Sequence, residues 1–305
     1  MRPPSGAWRG FHIFQSLSVA KQQYCWQEKQ PVIRTPLNDA DADAAAVVVG
    51  RGRIGGLLFS PGDALMTRET GWPEDAPESG PIYVCTRNDA LDRVIENTPV
   101  SRRKDLVFLQ NGMLLPYLEA KGLDTCTQGL VYFAVSKIGE APTDGITELN
   151  PDGLTSATGK WAPAFRARLA DKGLRCHVKD GDDFKRAMLE KHCWICAFML
   201  VGAVHDGITV GRVEKERKMQ LSELIEEMVA AGEEKLGVKL SSGYIDRLCA
   251  YARAVSHFPT AVKEFEWRNG WFYDISQKAL ENGDPDPLPL HTNLLSIAMP
   301  ELFAS

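Results

Sequence analysis

Residues 47–58, VVVGRGRIGGLL, decide the fold. The apolar run 45–49 ends in Gly50-Arg51-Gly52-Arg53-Ile54-Gly55, and a second apolar stretch follows at once. A dinucleotide-binding βα turn has this order. Its first Gly permits the tight turn and its second lets the backbone approach a pyrophosphate. Its third lets the helix pack closely on the strand, with the helix N-terminus toward the phosphates. A lone glycine-rich motif is weak, because such turns are common. The wholly apolar strand before it, suited to a sheet buried on both faces, supplies the context the motif needs. Gly50, Arg51, Gly52, Arg53, Ile54 and Gly55 are therefore candidate cofactor-binding residues. The plainer alternative is an ordinary strand–turn–helix.

Outward from this turn, residues 63–68 read as a second strand, ending in Thr67-Arg68 with Glu69 next. In a Rossmann unit this strand end meets the adenosine ribose. An acid there accepts the 2′-hydroxyl of NAD, and an Arg accommodates the 2′-phosphate of NADP. Both have a candidate, and Arg51, Arg53 and Arg68 together favour NADP; otherwise they decorate a solvated rim. Residues 70–80 are rich in Gly, Pro and acid and form a loop. A short strand over 82–86 runs into Arg87, a helical segment spans 88–96, and a strand over 105–109 ends in Gln110-Asn111-Gly112-Met113. Residues 130–135 continue the β pattern, and a loop over 143–159 closes this half. Alternating short apolar strands and helices predict a parallel α/β sheet, a Rossmann-type dinucleotide-binding domain over 45–159.

From Lys160 the pattern turns helical. Residues 184–204 read as one long helix whose second half is nearly all apolar and must be buried. Residues 218–233 place Leu221, Leu224, Ile225, Met228 and Val229 on one helical face, 244–255 form a third helix, and 262–277 a fourth. An all-α domain over 160–305 is expected, with a site where the two halves meet.

The 305 residues are 44% hydrophobic and 25% charged, the values of an ordinary globular protein. A net charge of −5 gives no reason to expect a nucleic-acid partner. The longest uncharged apolar stretch, 193–204, is too short for a membrane span. Seven scattered cysteines do not form a secreted disulfide framework, which points to a reducing, intracellular compartment. The first 27 residues lack Asp and Glu but carry Arg2, Arg9 and Lys21. That composition suits a transit peptide of plastid or mitochondrion within an extension over 1–44, and otherwise the protein is cytoplasmic. The aromatics Trp8, Phe11, Phe14, Tyr24 and Trp26 favour instead an arm that docks on the fold. Cys193-Trp194-Ile195-Cys196 has redox or half-zinc spacing, but it lies in an apolar helix and lacks a second ligand pair, so no metal is expected.

Taken together, these motifs resemble ketopantoate reductase and its relatives in the 6-phosphogluconate dehydrogenase-like superfamily, in order from about residue 45 onward. The glycine turn with its following GGLL matches the opening of that family. In VCTRND, Arg87 stands where the family has a cofactor-proximal lysine. LQNGM resembles the QNG signature, which implies that Asn111 sits between nicotinamide and substrate. Met188-Leu189-Glu190-Lys191 resembles the helix of the catalytic lysine, which implies Lys191. Glu264-Phe265-Glu266-Trp267-Arg268-Asn269-Gly270 resembles the E-x-D-x-x-N-G segment, implying an active-site role for Glu264, and Ser256 stands for the substrate-binding serine. One and two turns beyond its lysine the family presents asparagines; here Ile195 and Met199 stand there, and neither can make those hydrogen bonds.

What the resemblance implies is an NADP-dependent reductase of a small 2-oxo acid. Lys191 would act as acid and base, Asn111 would bridge cofactor and substrate, and Glu264 and Ser256 would bind substrate. It also implies a homodimer joined through the helical half. Bland readings stand beside these roles: Lys191 as the polar edge of an amphipathic helix, Asn111 as an Asn-Gly turn, Glu264 as a solvated charge beside Lys263. The missing asparagines also admit an NADP-binding protein that has lost catalysis and serves as a redox sensor or assembly partner. A third reading is an imine or secondary-amine dehydrogenase, whose substrate is less polar.

Overall fold

Three apolar triplets, VVV, IYV and LVF, form the centre of the sheet as β1 (Val47–Val49), β3 (Ile82–Val84) and β4 (Leu106–Phe108). Every residue in them is buried, as strands covered on both faces must be. The structure, a computed structural model, describes residues 44–304; the leader expected at the N-terminus lies outside the described residues but for Ala44. With β2 (Ala64–Met66), β5 (Thr127–Leu130), β6 (Ser156–Thr158) and β7 (His177–Val178), these strands make one sheet in the order β2-β1-β3-β4-β5-β6-β7. The first five run parallel, while β6 pairs antiparallel with β5 and parallel with β7.

Alternation along the strands sorts the side chains to two faces. Val48, Tyr83 and Val107 point to one, where Leu58 of α1 (Arg53–Leu58) and Phe165 of α4 (Ala162–Ala170) cover them. Val47, Val49, Ile82, Val84, Leu106 and Phe108 point to the other, under α2 (Leu91–Asn97) and α3 (Leu115–Ala120). Each such side chain taken fully out of water contributes about 1.5–3 kcal/mol.

The helical half is organised around α5 (Gly181–Val204), with α6 (Val210–Glu216), α7 (Lys218–Leu236), α8 (Tyr244–Ala254), α9 (Asn269–Glu281) and α10 (Pro289–Ala298). Leu189, Cys193, Cys196, Ala197, Leu200 and Val201 of α5 are wholly buried and share a core with Leu221, Leu224, Ile225 and Met228 of α7. By length and composition α5 could cross a membrane, but 72% of its most apolar window is buried in the protein, as in a core helix.

Several expectations are corrected. The strand expected at 130–135 does not form: β5 spans Thr127–Leu130 and meets it only at Leu130, and beyond that Ala134 makes a single isolated bridge to Thr143. The loop expected at 143–159 contains β6, and the sheet is mixed rather than purely parallel. It also runs past Lys160 to Val178, so the all-helical region starts at Gly181. The fourth helix does not span 262–277. Glu264 adopts a left-handed φ of +48°, a single 3-10 turn covers Phe265–Trp267, and α9 begins only at Asn269.

Candidate active site

Because β1, β3 and β4 are parallel and in register, their C-terminal ends lie side by side, the edge at which such sheets bind ligands. The chain leaves β1 at Gly50, whose φ is +93° and whose N–H donates to the Met66 carbonyl at 2.9 Å. A Cβ on Gly55 would lie 2.0 Å from the Gly50 carbonyl oxygen, so only glycine lets α1 start this close to the strand. A Cβ on Gly52 would meet nothing within 4 Å; the backbone there faces open space. Gly50, Arg51 and Gly52 border a cleft of about 630 Å³ with Thr67, Arg68 and Glu69 beyond β2, Thr86 and Arg87 beyond β3, and Arg93 of α2.

These residues fit a nicotinamide dinucleotide, with open backbone for the pyrophosphate and guanidinium groups at the ribose corner. Glu69 remains beside Arg68, its carboxyl held below the usual range by a hydrogen bond with Thr67, so acid and base are both present. Arg87 is exposed and pairs with Asp89 at 2.9 Å. Arg53 and Ile54 do not border the cleft. They are the first residues of α1, and the helix turns them aside: Arg53 Nη1 donates to the Val135 carbonyl at 3.2 Å, and Ile54 packs on the sheet core. Arg93 was not singled out in the sequence, where it is one more charge on a short helix. Its Nη2 donates to the Arg68 carbonyl at 3.0 Å and so fixes the end of β2.

Across the sheet edge stands α5. Gln110 Nε2 donates to the carbonyls of Val84 at 2.9 Å and Thr86 at 3.0 Å, and Asn88 Nδ2 donates to the Asn111 carbonyl at 3.0 Å. Thus held, Asn111 presents its Oδ1 to Lys191, whose Nζ donates to it at 2.8 Å. Lys191 is 8% exposed and its Nζ lies 5.3 Å from the centroid of the Tyr132 ring. Burial, and then the nearby Arg268 cation, push its pKa down to about 7. Lys191 and Asn111 share a cavity of about 10 Å³ with Gln110, Gly112, Leu130, Met188, His192 and Ile195. Ile195 in its wall is buried, and Met199 one turn on is half-buried.

The segment 264–268 packs on the Gly112-Met113 turn beside this cavity. The Trp267 carbonyl accepts from Met113 N–H at 2.7 Å, and a Cβ on Gly112, whose φ is +113°, would lie 2.3 Å from that carbonyl oxygen. The Trp267 ring meets Tyr117 edge-on at 5.0 Å. Glu264 does not point alone into the site but accepts a hydrogen bond from Arg268 Nη2. Ser256 is not brought to the walls around Lys191. It is exposed in the turn after α8, where its carbonyl accepts from Gly211 N–H at 3.0 Å and its side chain lies against that glycine.

The Cys193–Cys196 pair is structural in its surroundings. Cys193 and Cys196 are wholly buried, and burial pushes both thiols up, away from the reactive thiolate. His205 Nε2 lies 2.8 Å from Gln220 Oε1, and His257 is exposed.

No protein-family model matches this sequence, and no curated protein matches it. Solved structures do. A dimeric ketopantoate reductase from Staphylococcus aureus matches with a TM-score of 0.58 at 17% identity, over 85% of this chain and 100% of that one. A PanE/ApbA-family ketopantoate reductase from Ralstonia eutropha JMP134 matches with a TM-score of 0.60 at 16% identity, over 84% and 99%. D-mandelate dehydrogenase in complex with NADH matches with a TM-score of 0.58 at 12% identity, over 85% and 98%. Identities this low carry architecture rather than chemistry. The chain has the fold of the ketopantoate reductases, a Rossmann-type sheet followed by helices that lay a buried lysine against its carboxyl edge.

Proposed function

We propose that this protein is a nicotinamide-dinucleotide-dependent reductase of a small 2-oxo acid, with NADPH as the preferred donor. The observation that carries this reading is the 2.8 Å bond between Lys191 and Asn111, set beside the glycine turn at the sheet edge. Fold neighbours that are ketopantoate reductases, and one dehydrogenase held with NADH, support it. The arginines at 51, 68 and 93 favour the 2′-phosphate.

Gly50, Arg51, Gly52 and Arg68 would hold a nicotinamide dinucleotide, which would supply hydride to the carbonyl carbon and leave charge on oxygen. Lys191 meets that oxygen, stabilises it and gives up its proton. Asn111 orients the ammonium through Oδ1, and burial brings its pKa to the range where proton transfer near neutrality is efficient. Gln110 and Asn88 keep Asn111 in place through the strand ends.

The test is a fluorescence titration with NADPH and NADH, followed by NADPH oxidation across a panel of 2-oxo acids. Lys191→Ala should lower kcat by about 10²–10⁴, the usual worth of a positioned acid, and leave NADPH affinity intact. A fully active variant would end the assignment of Lys191. A second reading has an observation of its own: with a cavity of about 10 Å³ walled by Ile195, the protein binds cofactor without turnover. It predicts NADPH binding and no oxidation with any panel member.

A further inference from the structure

Arg268 stands one residue before α9, and the resemblance assigns it no role. Its side chain is 13% exposed, Nη2 is committed to Glu264, and the buried Nε has no partner among the described residues. A guanidinium is costly to bury with a donor unpaired. The segment that carries it is docked on Asn111-Gly112-Met113 through the Trp267 carbonyl, so Arg268 is held at the turn that grips Lys191. Its charge acts on Lys191, His192 and Cys196 of α5, so the guanidinium lies near the cavity although it is not part of the lining. Two cations with one carboxylate, Glu264, leave a surplus positive charge that a monocarboxylate would balance.

We propose that Arg268 binds the carboxylate of the substrate, and that the substrate's side chain is apolar and rests against Leu130, Met188 and Ile195. The proposal rests on the reductase reading above and adds the substrate class. The guanidinium offers a planar fork matched to a carboxylate. Glu264 positions that fork and does not itself bind substrate. The side-chain half follows from Leu130, Met188 and Ile195, which cannot satisfy a hydroxyl; of the polar lining, Gln110 and Asn111 are already engaged with Val84 and Lys191, and His192 Nδ1 has no partner among the described residues.

The first test needs no turnover. The protein with bound NADP+ is titrated by calorimetry with N-isobutyl oxamate, an unreactive mimic of a 2-oxo acid, and with the corresponding oxamide, which lacks the carboxylate. Wild type should bind the oxamate about 30-fold more tightly than the oxamide, as a charged hydrogen-bonded contact would give. In Arg268→Gln that advantage should vanish while oxamide and NADPH affinities stay unchanged, and Arg268→Lys should recover part of it. An undiminished advantage in both variants, or no oxamate binding by wild type, overturns the proposal. The second test compares 3,3-dimethyl-2-oxobutanoate with its 4-hydroxy derivative, by kcat/KM or by the Kd of matching oxamates. A preference for the former on the order of 10² is expected, and the opposite preference overturns the apolar pocket. Oxamate binding through Arg268 with no 2-oxo acid reduced would end the reductase reading and leave Arg268 assigned. Reduction that is indifferent to Arg268→Gln and Arg268→Lys would do the reverse.

Discussion

Lys191 is chemically unusual because of where its helix puts it. An ordinary lysine titrates near 10.4 and is a poor proton donor at neutrality. Here loss of water and the Arg268 cation bring the value to about 7. The charged form exists below that value and is lost as pH rises through it. For reduction, kcat/KM should therefore fall as pH rises through about 7, and a profile flat to pH 9 would show that Lys191 is not the donor. Lys191 and Asn111 were legible as motif residues, and the structure joins them. Arg268 was not, although E-F-E-W-R-N-G was in view. Read as part of a helix, positions 264 and 268 make a commonplace i,i+4 pair on a solvated face; the left-handed Glu264 turns the same pair inward. Ser256 differs the other way: the resemblance made it a substrate-binding residue, and the turn after α8 sets it against Gly211.

At the scale of elements, strands without apolar triplets went unseen, and the apolar run 131–135, which promised a strand, makes only an isolated bridge at Ala134. β5 reads TQGL and β6 reads SAT, so their place is set by what they lie between rather than by their own hydrophobicity. The segment Phe265–Trp267 was hidden for the same reason: its aromatics suggest a helix, while its contact with the Gly112 turn is tertiary. That contact predicts the behaviour of Gly112→Ala. A side chain at φ +113°, with a carbonyl oxygen 2.3 Å away, must push the segment off. Stability should drop by about 1–3 kcal/mol in a urea titration, the scale of one strained residue. Turnover should fall while NADPH affinity, at the other side of the sheet edge, stays as it was. A variant as stable and active as wild type would show that the segment is not held there.

For the molecule as a whole, the order of a Rossmann-type sheet followed by helices could be read directly, because the glycine turn and the change of period are local signals. The extension of the sheet to Val178 could not, since its last strand has two residues and depends on β6. The finished assembly presents unequal openings. The cleft at the glycine turn has about 630 Å³, whereas the cavity beside Lys191 has about 10 Å³, barely the space of one water. If filling the open door is what unlocks the shut one, the ligands enter in a fixed sequence. For the proposed reductase this predicts that the dinucleotide binds first and that the acid enters only once the cavity beside Lys191 widens. Kinetically this is a compulsory order, in which NADP+ competes with NADPH and is noncompetitive against the oxo acid. Product-inhibition patterns showing either ligand free to enter first would mean that the shut door opens by itself.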